Sequence, residues 1–145
     1  MHLPILKAVM KNLVFSSGYG YPHSYLRAFL KSISRNMKNA DVVLFYHDTS
    51  EQSVSNLREY LATVRVVKPS DNLIRETIST LPRGKGLTSQ LVLQSPLLSA
   101  AYKPALARYF WVMNYCKRVD ISTYNNILLC DSRDVVVQTD VFDKI

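Results

Sequence analysis

A chain of 145 residues has room for one ordinary domain with a real core, and 48% apolar with 20% charged residues excludes intrinsic disorder. The 18 Lys and Arg outnumber the 11 Asp and Glu, and the resulting charge of +7 favours an anionic partner: nucleic acid, an acidic membrane surface or a phosphorylated small molecule. No apolar run approaches the ~20 residues of a membrane helix, and two cysteines, Cys116 and Cys130, make neither a disulfide framework nor a metal knuckle.

The basic residues are scattered upstream without a block of like charges, whereas Asp131 to the end carries four Asp against Arg133 and Lys144. No homeodomain, zinc-finger or ribonucleoprotein-type signature accompanies the charge, so nucleic-acid binding rests on net charge alone and is not expected. The first residues, Met1-His-Leu-Pro-Ile-Leu-Lys, lack the layout of a secretory signal, and there is no Asn-x-Ser/Thr sequon. As written, the chain is expected to be cytoplasmic.

In chain order, Asn12 to Ser17 reads as a first strand, followed by the loop Gly18-Tyr-Gly-Tyr-Pro22, where two glycines permit a sharp turn or a close approach to a ligand. Pro22 suits a first helical turn, and Leu26, Phe29, Leu30, Ile33 and Met37 recur at helical spacing. Asp41 to Tyr46 reads as a second buried strand ending at His47-Asp48. A helix over Glu51 to Leu61 and a short strand over Val64 to Val67 come next. A helix over Asp71 to Thr80 with Ser70 as its cap, a loop over Leu81 to Gly86, and an ambiguous stretch from Thr88 to Leu98 fill the middle. From Ala105, the residues Leu106, Tyr109, Phe110, Met113 and Cys116 predict a helix to about Val119. The turn-like pair Asn125-Asn126 then introduces Ile127 to Cys130, a short apolar run read as a central strand buried on both faces, with Val135 to Val137 as a further strand. Alternating strands and helices predict an α/β fold, a Rossmann-like, mostly parallel sheet flanked by helices, in one domain spanning 1–145.

Between the last two apolar runs stands Asp131-Ser-Arg-Asp134, at the strand end where open α/β sheets bind ligands. Two readings stand side by side. Carboxylates there can anchor magnesium or manganese together with substrate phosphates; equally, Asp131 can cap backbone in a solvated turn. Gly18-Tyr-Gly-Tyr21 could border a nucleotide, but His23 denies it the Gly-x-Gly-x-x-Gly fingerprint. Arg83-Gly-Lys-Gly86 fails the phosphate-loop pattern, because Ser79 replaces its first glycine and Gly86 its Ser or Thr. His2, His23 and His47 lack metal-ligand spacing; His47 ends a strand on the expected ligand side of the sheet, where it could lie near a pocket, but a surface position is the favoured reading, and Trp111 and Phe110 read as helix core. No spaced nucleophile, histidine and acid support hydrolysis.

Arg108-Tyr-Phe-Trp111 followed by Tyr124-Asn-Asn-Ile-Leu-Leu-Cys-Asp-Ser-Arg-Asp-Val-Val-Val-Gln-Thr-Asp-Val-Phe142 resembles nucleotide-sugar glycosyltransferases of the GT-A fold, in the branch whose metal motif reads Asp-x-Arg-Asp. Leu13-Val-Phe-Ser-Ser-Gly-Tyr-Gly20 and the helix containing Tyr25 to Leu30 are similar to that family's opening. The resemblance implies a sugar-nucleotide donor, an acceptor it does not identify, and a divalent cation, manganese or magnesium, bridging the diphosphate to Asp131 or Asp134. It implies that Ser17, Gly18 and Tyr19 border the nucleotide, that Arg108 orients the motif or meets a phosphate, and that Arg133 lies beside the donor. Arg133 stands where the commoner motif has its second Asp, so both carboxylates remain candidate metal ligands, and Val141 stands where the branch has Pro. The family's acceptor and catalytic groups follow the motif, and only Val135 to Ile145 follow it here. The chain is therefore expected to be the donor-binding half, with catalytic residues unknown, and a lost targeting segment would place it in the Golgi or another secretory compartment. A non-catalytic nucleotide-binding module and a basic nucleic-acid-binding domain are the alternatives.

Overall fold

The first strand, β1 (Lys11–Ser17), buries Leu13, Val14, Phe15 and Ser16 completely, so its side chains point alternately into two covered faces. The structure, a computed structural model, describes residues 10–69, 104–133 and 135–145. β1 pairs in parallel with β2 (Ala40–Phe45), Val14 opposite Val42, and with β4 (Tyr124–Leu129), Val14 opposite Leu128. β3 (Arg65–Val67) extends the sheet beyond β2, also in parallel, giving the order β3-β2-β1-β4.

Helices cover both faces, as parallel strands require. A 3-10 turn (His23–Leu26) and α1 (Arg27–Asn36) connect β1 to β2, and α2 (Glu51–Tyr60) connects β2 to β3. Phe29, Leu30 and Ile33 of α1 and Leu57 of α2 pack with Val14, Val42 and Leu44 in one core. Each such side chain, fully buried, contributes about 1.5–3 kcal/mol of transfer free energy. On the opposite face α3 (Pro104–Arg118) lays Trp111, Val112, Tyr115 and Cys116 over Leu13, Phe15, Val43 and Phe45. The α/β, Rossmann-like reading of the sequence is borne out. No helix among the described residues is long and apolar enough to cross a membrane.

Five sequence expectations are corrected. Asn125 and Asn126 are not a turn: β4 already begins at Tyr124, and Asn126 Nδ2 donates across the sheet to Asn12 Oδ1 at 3.1 Å. β4 is not a central strand buried on both faces, since it ends the described sheet and Ile127 is 48% exposed. Val135 to Val137 form no strand; Val137 N donates to Ser32 Oγ at 2.9 Å and its carbonyl accepts from Asn36 Nδ2 at 2.6 Å, so α1 side chains take the place of a ladder. On α3, Tyr109 and Met113 are exposed, because the helix turns Trp111 and Tyr115 to the sheet instead. Pro22 precedes the 3-10 turn, and the α-helix begins only at Arg27. The expectations for 70–98 lie outside the described residues.

The start of α2 carries a local pH dependence. Ser50 Oγ caps Ser53 N at 3.4 Å, while the Asp48 carboxylate accepts from the Ser53 hydroxyl and from Ser50 N at 2.9 Å. These bonds, the Ser53 hydroxyl first, hold Asp48 down from the ordinary 3.8 to about 2. A folded value below the unfolded one means that the contribution is complete above pH 3.8 and disappears as pH falls toward 2. The stability difference between the protein and Asp48→Ala, followed by urea denaturation, is therefore expected to be constant near neutrality. It should shrink toward zero across that acidic window; a pH-independent difference would refute the assignment.

Candidate nucleotide site

From β1 the strand order runs outward to β2 and β3, then returns to place β4 on the other side of β1. Such a reversal opens a crevice at the carboxyl ends of the two strands, where ligands of open α/β sheets bind. The Gly18 loop and the Asp131 turn leave the sheet there.

The loop is pinned at each residue. Gly18 N donates to Phe45 O at 3.0 Å, and Tyr21 N to Gly18 O at 3.1 Å. A Cβ on Gly18 would lie 2.5 Å from Leu26 Cδ1, in a core leucine, so only glycine lets the backbone pass this close. Gly20 has φ +83°, the left-handed region that glycine enters without penalty. Its N–H donates to His47 Nδ1 at 3.0 Å, and Tyr46 Oη donates to Tyr21 O at 2.8 Å. The Tyr19 ring lies 5.3 Å from Trp111 and 5.7 Å, edge to face, from His47.

The turn after β4 is fastened to β1 by hydroxyls. Cys130 N donates to Phe15 O at 3.1 Å, and Ser16 Oγ to Cys130 O at 2.9 Å. Ser132 is fully buried and donates from Oγ to Ser17 O at 2.6 Å. Asp131 Oδ1 accepts from Ser132 N at 2.8 Å and Arg133 N at 3.3 Å, while Oδ2 lies 3.5 Å from Arg108 Nη1. The Asp131 side chain stays 54% exposed. Arg108 reaches it from α3, its guanidinium 5.4 Å from the Tyr109 ring centroid, and buries an Nε that has no hydrogen-bond partner among the described residues. Arg133 lays its guanidinium 5.4 Å from the centroid of Tyr21, which joins the turn to the loop. Burial, reinforced by Asp131, pushes the Cys130 thiol up to about 11, so it is a neutral packed thiol, not a nucleophile.

Ser17, Gly18, Tyr19, Arg108, Asp131 and Arg133, all singled out in the sequence, thus share one edge of the sheet; Asp134 lies outside the described residues. Sequence reasoning missed Ser132, whose hydroxyl holds the turn, and, though it put His47 on the ligand side of the sheet, it missed that His47 supports the loop rather than standing free on the surface. The only signal for either was position, immediately after an apolar strand. Trp111 is core, as read, and also backs Tyr19.

No protein-family model, curated protein sequence or solved structure matches the chain.

Among the described residues no group of three or more His, Cys, Asp or Glu is gathered to hold a metal ion; a magnesium-type ion, which binds through one or two carboxylates and completes its shell with phosphate and water, would have the half-exposed Asp131 side chain to use. Asp131 Oδ2 is the described atom that would hold it. Arg108, 3.5 Å from that oxygen, would be the residue to meet a phosphate there, since a guanidinium suits both carboxylate and phosphate.

Proposed function

We propose that the chain binds the donor of a nucleotide-sugar glycosyltransferase of the GT-A type, using manganese or magnesium. The observation that carries this reading is the junction at the strand-order reversal. There the Asp131 turn is bolted to β1 through Ser132 Oγ and Ser17 O, beside the glycine loop and within reach of Arg108. A bound cation would supply Lewis-acid stabilisation of the departing diphosphate. The chain's own residues would bind and orient. The Gly18–Tyr21 backbone borders the nucleoside, Arg108 meets phosphate oxygens, and Asp131 divides its carboxylate between holding the turn and holding the cation. The net charge of +7 suits a diphosphate on the same grounds.

Calorimetric titration with UDP and GDP, each with and without manganese or magnesium, tests the reading. Metal-dependent binding of one diphosphate is the expected result; absence of binding to both with metal present would sink it. Binding without any sugar transfer from the cognate donor would favour a non-catalytic nucleotide module. Salt-sensitive binding of RNA or DNA in place of either diphosphate would favour a polyanion-binding domain.

A further inference from the structure

We infer that His47 is a positioning residue that holds the Gly18–Tyr21 loop only while its ring is neutral with the proton on Nε2, making the loop a proton-released element. The backbone N–H of Gly20 can only donate, and it points at Nδ1 from 3.0 Å. That nitrogen must therefore present its lone pair, which fixes the tautomer. Protonation places an N–H on Nδ1 against the N–H of Gly20, two donors facing each other, and the bond is lost. Gly20 sits at φ +83°, so the amide orientation that meets the ring is one that a glycine selects.

The ring is also held in place. Tyr46 packs against it at 4.3 Å between centroids, and Tyr19 meets it edge to face at 5.7 Å. The titratable and charged groups facing His47 among the described residues are Tyr19 from the loop and Tyr46 and Asp48 from its own strand end. Tyr46 also donates to the carbonyl of Tyr21, so adjacent residues after β2 hold the loop at two points, of which only the His47 bond is lost on protonation. Loss of it frees the Gly20 amide and loosens the seat of Tyr19, while Gly18 stays tied to Phe45. The consequence for ligand binding rests on the proposed reading of this loop as the nucleotide border; the loop chemistry does not.

The experiment uses the full chain labelled with nitrogen-15. The ring nitrogen shifts of His47 and the exchange protection of the Gly20 amide, corrected for its intrinsic rate, are followed from the pH at which the ring is fully neutral down to its full protonation. At the upper end Nδ1 should be the unprotonated nitrogen. Gly20 should lose about tenfold in protection on acidification, the factor matching a hydrogen bond of ordinary net worth, with the same midpoint as the ring. His47→Asn, whose Oδ1 stands where Nδ1 does and can accept the same N–H, should keep Gly20 protected and remove the pH dependence; His47→Ala should remove the protection throughout. A proton on Nδ1 at the upper end, or protection of Gly20 that ignores the charge of His47, would overturn the inference. In a parallel arm, UDP or GDP affinity with manganese should weaken over the same window in the protein but not in His47→Asn. Failure of nucleotides to bind at any pH, with the ring and amide behaving as stated, would defeat the proposed function and leave the loop device standing. Binding that does not follow the ring would instead defeat the coupling.

Discussion

Phe15→Ala is expected to lower the unfolding free energy by about 3–5 kcal/mol, the largest loss for any single truncation of the sheet's α3-facing side. Phe15 sits in the central strand with no exposed surface. It stacks on Phe45 at 6.1 Å with planes only 7° apart, and takes the edge of Tyr115 at 5.5 Å. Removing the ring leaves a cavity between a parallel sheet and a helix, two rigid surfaces that close poorly, so the cavity cost adds to the lost transfer energy. Against a typical domain stability of about 5–15 kcal/mol, such a loss would be plain in the midpoint of a urea titration with unchanged slope. Ile127→Ala provides the contrast, since that residue is 48% exposed on β4 and its loss should stay within about 0.5 kcal/mol. A cost for Phe15→Ala no greater than that of Ile127→Ala would mean that α3 does not seal this face of the sheet.

The same contrast explains what the sequence revealed and what it hid. β1 and β2 were legible because each is a continuous apolar run, the pattern of a strand covered on both sides. Val135 to Val137 show the same pattern to a reader of local sequence. The backbone partners of Val137 are nonetheless Ser32 and Asn36, about a hundred residues upstream, and no local pattern contains that information. Conversely, polar Asn126 belongs to β4 because Asn12 waits across the sheet. In the site, Asp131 and Arg108 were legible as chemistry. The part played by Ser132 was not, because one hydroxyl acquires its role only when a carbonyl 115 residues away lies beside it. His47 was hidden for the same reason: its partner is a backbone amide, and a sequence does not show where amides point.

Asp131→Asn should separate the two duties of that carboxylate. The amide side chain keeps an oxygen in the Oδ1 position, so the turn retains the acceptor for Ser132 N and Arg133 N. The pair with Arg108 is lost; at 3.5 Å and with the carboxylate half exposed, it is expected to contribute only about 0–1 kcal/mol. Stability should therefore change little. Metal-dependent affinity for the nucleoside diphosphate should instead fall by about 10- to 100-fold, because a charge-assisted contact of about 1.5–3 kcal/mol disappears with the carboxylate. Asp131→Ala removes the turn acceptor as well and should show the same loss of affinity with an added loss of stability. Arg108→Ala in the same background tests whether the two residues act together: if Arg108 binds phosphate only after the cation has displaced it from Asp131, its removal should weaken binding in the protein far more than in Asp131→Asn. Urea denaturation and calorimetry on the five chains separate the duties. Unchanged metal-dependent affinity in Asp131→Asn would assign this carboxylate to the turn alone and leave the cation to another group. Parallel losses of stability and affinity across all the variants would mean that Asp131 shapes the crevice without touching what binds in it.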